Sequence, residues 1–124
     1  TFKDAYWISL KSARDAQICV YDYDLKKLNP KISSFSTVEL ANMFVSVHPR
    51  VIPSSINIIE NNKDDVEAEF IVVDTVTNYK TFMHTRTVRK GNRIKFIDFS
   101  TYQETYEANK NYFDKIFKSI KLKK

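Results

Sequence analysis

A long amphipathic segment closes this chain directly behind four strand-like runs, and this pairing constrains the fold more than any other feature. From Thr101 to about Ile120 the residues Tyr102, Tyr106, Asn109, Phe113, Ile116, Phe117 and Ile120 recur at three- and four-residue spacing. On an α-helix that spacing makes one stripe. The stripe predicts a helix lying across a sheet. A capping box, Thr101 to Glu104, is expected to open it, with Glu104 and Glu107 near the positive end of its dipole and Lys115, Lys118 and Lys121 near the negative end.

The sheet is read from changes of period. Phe2 to Leu10 and Ala16 to Tyr23 are rich in aromatic and branched residues and flank the turn Ser12-Ala13-Arg14-Asp15. Leu25 to Ser34 reads as a loop. Ser36 and Glu39 have capping-box spacing, and Phe35 can staple onto Leu40, so a helix is predicted from Thr37 to about Val47, ending before Pro49. Pro49 and Pro53 bracket a rigid connection. Alternation then resumes at Ile56 and Ile58 and at Val66, Ala68, Phe70 and Val72, separated by the turn-rich stretch Glu60 to Asp65. A second hairpin joins Tyr79–Arg89 to Arg93–Phe99 through Gly91. Ile94 and Phe96 share one face of the last strand and Ile97 and Phe99 the other, which predicts a bulge or burial on both sides. The order is β-β-α-β-β-β-β-α. It specifies a single α+β domain over residues 1–124, a mainly antiparallel sheet with two helices packed on it.

Composition narrows function mostly by exclusion. Gly91 is the only glycine among 124 residues, so neither a P-loop nor a dinucleotide-binding glycine loop is present. The net charge of +5 belongs to one place: residues 110–124 hold six Lys and one Asp, and the rest of the chain balances 14 basic against 14 acidic side chains. A nucleic-acid domain spreads its basic residues over a face interleaved with stacking aromatics, so nucleic acid is not the expected partner. The single cysteine, Cys19, forms no intramolecular disulfide and leaves the compartment open. No apolar run reaches the ~20 residues that cross a bilayer. The opening Thr1-Phe2-Lys3-Asp4 is neither a signal peptide nor an initiator sequence, which points to a longer or processed precursor.

No catalytic, cofactor-binding or metal-binding set is singled out. Cys19 lies in a strand run without a neighbouring cation and reads as a buried thiol, although His84 would be a base if the sheet brought it close. His48 falls at the C-terminal end of the first helix, where a protonated imidazole suits the dipole, and His84 alternates within a strand. Asp22 and Asp24 read as the end of a strand. Glu60, Asp64, Asp65, Glu67 and Glu69 lack the spacing of an EF-hand loop and read as a solvated hairpin. The basic hairpin residues Lys80, Arg86, Arg89, Lys90, Arg93 and Lys95 are expected to be balanced largely by these acids across the strands.

The ending Asn109-Lys110-Asn111-Tyr112-Phe113-Asp114-Lys115-Ile116-Phe117-Lys118-Ser119-Ile120-Lys121, after Phe96-Ile97-Asp98-Phe99, resembles the terminal strand and helix of PsbP-like domains. That family includes the extrinsic protein P of the photosystem II oxygen-evolving complex and small bacterial exported proteins. The resemblance implies an α-β-α sandwich, often exported or lipid-anchored, that acts as a non-catalytic accessory module docking on a larger assembly. It carries over no catalytic residues and no cofactor. The expected function is therefore protein interaction, with Lys118, Lys121, Lys124, Arg86, Arg89, Lys90 and Arg93 as the candidate surface for an acidic partner or an anionic membrane. The alternative is a small-ligand-binding or hydrolytic domain whose pocket lies between sheet and helix, with Tyr21, Tyr23, Trp7 or His84 at its mouth.

Overall fold

The computed structural model describes residues 6–10, 13–28 and 31–119, and the surroundings of side chains from Ala16 onward. Among the described residues six strands form one antiparallel sheet: β1 (Tyr6–Leu10), β2 (Ala13–Asp24), β3 (Asn57–Asn62), β4 (Asp65–Val73), β5 (Lys80–Lys90) and β6 (Arg93–Tyr102), in the spatial order β1-β2-β6-β5-β4-β3. The first hairpin is tighter than the sequence suggests, because Ala13, Arg14 and Asp15 belong to β2 rather than to a turn. Gly91 opens the two-residue β5–β6 turn with φ 61°, the left-handed geometry such a turn needs at its first position.

The helices are α1 (Leu25–Leu28), α2 (Thr37–Ser46), α3 (Gln103–Ala108) and α4 (Lys110–Ser119), with 3-10 turns at Ile32–Ser34 and Pro53–Ser55. The segment Leu25–Ser34 is thus not a plain loop: buried Leu25 docks on the core, and its N–H donates to Asn92 O at 2.8 Å. The capping box of α2 forms as expected, with Glu39 N–H donating to Ser36 Oγ and Ser36 N–H to Glu39 Oε1. Arg89 ties the preceding loop down by donating to the carbonyls of Ser33, Phe35 and Gly91.

The closing segment departs most from expectation. Thr101 is paired with Phe82 in the sheet and fully buried, so it cannot cap a helix; α3 starts two residues later with no side-chain cap. The helix is then interrupted at Asn109, whose Nδ2 donates to Thr105 O at 3.0 Å and so takes the carbonyl that its own backbone N–H would use in a continuous helix. That N–H bonds to Tyr106 O instead. Tyr106, Phe113 and Phe117 hold the stripe on the sheet, Ile116 is partly buried against it, and Tyr102 and Asn109 are exposed. Ile120 lies outside the described residues.

Both faces of the sheet are covered. On one, Ala16, Ile18, Phe82, Ile97 and Phe99 meet Tyr106, Phe113 and Phe117 of α3 and α4. On the other, Leu25, Leu40, Ile94 and Phe96 form one cluster and Val45, Ala68, Phe70 and Met83 a second, under α2. Central strand β6 is buried on both sides with unbroken register to β2 and β5, so two-sided burial rather than a bulge explains its pattern. The result is an α+β sandwich, helix over sheet over helix. Among the described residues no helix is long and apolar enough to cross a membrane.

Candidate functional site

The register decides first which polar residues can act together. Cys19 lies opposite Asp98, which lies opposite Thr85, so all three belong to the α2 face. His84 lies opposite Phe99, which lies opposite Ile18, on the α3–α4 face. Cys19 and His84 therefore point to opposite sides of the sheet and cannot form a thiol–imidazole pair. The pocket mouth imagined from Tyr21, Tyr23 and His84 is divided in the same way; the side chain of Trp7 lies outside those described.

His84 has its own partners. Its Nε2 is 3.1 Å from Glu67 Oε1, its Nδ1 is 3.6 Å from Glu69 Oε1, and its ring stacks on Phe117 with centroids 3.6 Å apart. Beside it, Arg86 forks onto Asp65 with Nη2–Oδ2 at 2.6 Å and Nε–Oδ1 at 3.0 Å, and this pair holds the Asp65 carboxyl below the usual carboxylate range. Arg93 Nη2 is 2.9 Å from Asp22 Oδ1. Among the described residues, Arg86 alone of the basic hairpin's Lys and Arg cations pairs with an acid of the preceding hairpin; Arg93 reaches β2 instead and Arg89 binds backbone carbonyls, so the two hairpins neutralise each other at one point rather than broadly. Of the expected interaction residues, Arg86, Arg89 and Arg93 are thus engaged within the fold. Lys90 and Lys118 are exposed, and Lys121 and Lys124 lie outside the described residues.

His48 is half-buried just beyond the end of α2, between the rings of Phe44 and Phe70. Burial lowers its pKa, so it is a neutral packing residue and not the protonated dipole partner its position suggests. On the same face, Asp98 is 8% exposed and its Oδ1 has no hydrogen-bond partner among the described residues. Desolvation raises its pKa to about 7. Across the strand Cys19 Sγ–H donates to Tyr21 Oη at 3.2 Å, and burial, assisted by Asp98, pushes the thiol above its ordinary pKa. The thiol is thus held in its protonated form among buried polar groups, the opposite of an activated nucleophile.

An open cleft lies at one end of the sandwich, where the β4–β5 turn meets the start of α3. Its volume is about 530 Å³, and it is lined by Asn78, Tyr79, Lys80, Tyr102, Glu104 and Glu107 among others. The turn beside it is tightly organised. Asp74 Oδ1 accepts from Val76 N–H at 2.8 Å and Thr77 N–H at 3.3 Å, while Asp74 N–H donates to Tyr79 O and Asn78 N–H to Asp74 O, both at 2.8 Å. Asn78 takes φ 64°, a left-handed conformation that asparagine tolerates. This frame holds Val76 at 93% exposure and Tyr79 at 59%, and Tyr79 meets the 47%-exposed Tyr102 edge to face at 5.6 Å between centroids. The site is not legible in the sequence, because its two halves are more than twenty residues apart and the helical spacing places Tyr102 on the buried stripe. Asp74 and Asn78, residue types that favour turns, are its local trace in the sequence.

No family model and no curated protein matches the sequence. Among solved structures, the chain is similar to PA94 from Pseudomonas aeruginosa, a protein of unknown function put forward as a regulator. The TM-score is 0.61 over 98% of this chain and 83% of that one, at 6% sequence identity. Likeness at that identity concerns the fold alone.

Proposed function

We propose that this chain is a non-catalytic interaction module that docks on a larger protein assembly, using the end of the sandwich formed by the β4–β5 turn and the start of α3. One observation carries the reading: Val76, Tyr79 and Tyr102 are exposed together on a hydrogen-bonded turn and its neighbouring strand end. Rigid, exposed aromatic residues next to a cleft lose little conformational freedom on binding and are the residue type that dominates interface energetics. The resemblance to PsbP-like domains implies the same kind of role.

The test is site-specific photo-cross-linking in the cells that produce the protein. A benzophenone amino acid in place of Val76 is expected to give a discrete protein adduct that disappears when Tyr79→Ala is added, whereas the same probe at Lys90, on the far end of the sheet, gives none. Equal adducts from both positions, or none from position 76, would count against docking through this end.

The alternative of a ligand-binding or hydrolytic domain draws on the unpaired Asp98 carboxyl beside Cys19 and Tyr21. Its thiol is shifted away from reactivity, which favours binding over hydrolysis. Turnover of activated esters by the wild type that is lost in Cys19→Ala would revive hydrolysis.

A further inference from the structure

Resting on that docking face, we infer that its cleft receives an arginine side chain presented by the partner protein. The lining has three charges: the carboxylates of Glu104 and Glu107, and the ammonium of Lys80. Neither carboxylate has a cation within ion-pair distance among the described residues; Glu107 Oε1 accepts only from Gln103 Nε2, at 3.1 Å. The lining therefore carries one net negative charge, and neither carboxylate is held in an ion pair among the described residues. Against it stand the two tyrosine rings, inclined at 62° to each other. A planar guanidinium can lie on one ring face, meet the edge of the other and still direct its N–H fork at a carboxylate, which combines cation–π attraction with charge-assisted hydrogen bonding.

Competing occupants fit less well. A lysine ammonium is a compact, strongly hydrated point charge that gains little from stacking. An anionic group would face two carboxylates for one ammonium. An uncharged apolar side chain would leave both carboxylates to be desolvated without a partner, which is costly. Lys80 has a defined place in this account: it opposes the arginine, so removing its charge strengthens binding.

The experiment is a titration of 15N-labelled protein with Nα-acetyl-arginine methylamide, and with the lysine and glutamate counterparts, read from backbone amide shifts. The arginine amide is expected to shift residues 78–80 and 102–107 selectively and to bind more tightly than the lysine amide. Glu104→Gln and Glu107→Gln should each weaken it by about two- to five-fold, the range of exposed charge pairs, and Lys80→Gln should strengthen it by a similar factor. The amide spectrum of each variant reports directly that it is folded. Shifts that are scattered or absent, preference for the glutamate amide, or weakening by Lys80→Gln would overturn the inference. A cross-link from position 76 without arginine-amide binding sinks the arginine assignment and leaves the docking face standing; arginine-amide binding without the cross-link does the reverse.

Discussion

Asp98→Asn should make the protein's stability much less sensitive to pH between about 4 and 7, and should stabilise it at pH 8. The carboxyl is buried in the α2 face with Oδ1 unpaired, and desolvation raises its pKa from 3.8 in an open chain to about 7 in the fold. Between those two values the folded protein holds a proton that the unfolded chain has released. Stability therefore falls as pH rises through this window, by about 1.36 kcal/mol per pH unit, and the full contribution is present only below the unfolded value. Across the whole interval the loss is about 4 kcal/mol, a large part of the 5–15 kcal/mol that holds a typical domain together. Asparagine keeps the shape and the unpaired carbonyl but has no proton to lose. Urea unfolding of both proteins at half-unit intervals from pH 4 to pH 8.5 gives the comparison. The difference between the two curves removes other titrating groups, among them His48, and Asp65, whose lowered pKa acts in the opposite sense by adding stability as pH rises. Parallel curves for the two proteins would refute the reasoning, because they would mean that the Asp98 carboxyl is ionised, or solvated, in the fold.

Three other outcomes are expected. Phe113→Ala or Phe117→Ala should cost about 3–5 kcal/mol in denaturant unfolding, because each ring is buried between α4 and the sheet. Ser36→Ala should cost about 1 kcal/mol, measured the same way, by removing the acceptor of the Glu39 N–H at the start of α2. Changing Lys118, Lys121 and Lys124 together to Glu should slow association with an acidic partner or with vesicles rich in anionic lipid, an effect that fades as salt shortens screening to about 10 Å at 0.1 M. Stopped-flow association at low salt measures it, and an unchanged rate would remove this basic end from the docking surface while leaving the cleft untouched.

Local signals determined a large part of this fold without help from tertiary structure. Ser36 and Glu39 satisfy each other's backbone donors within one turn, Gly91 supplies the one positive φ its hairpin requires, and alternation in β4 sorts its residues between faces; each depends on atoms a few residues apart. The same local logic failed at Thr101, where the capping box was outcompeted by strand pairing with Phe82 and complete burial. Two-sided burial of β6 was visible as an ambiguity that only the presence of helices on both faces could resolve. Which polar strand residues meet belongs to the register. A shift of one residue would exchange the faces of Cys19 and of its neighbours, so the pairing of Cys19 with Asp98 and its separation from His84 follow from strand alignment and not from residue type. The cleft is assembled from the β4–β5 turn and the start of α3, which no sequence period connects. Nor does any local pattern reveal that Arg89 reaches back more than fifty residues to the carbonyls before α2. Short-range hydrogen bonding is written in adjacent residues; burial, desolvation and the meeting of charges depend on what the finished sandwich places on the other side.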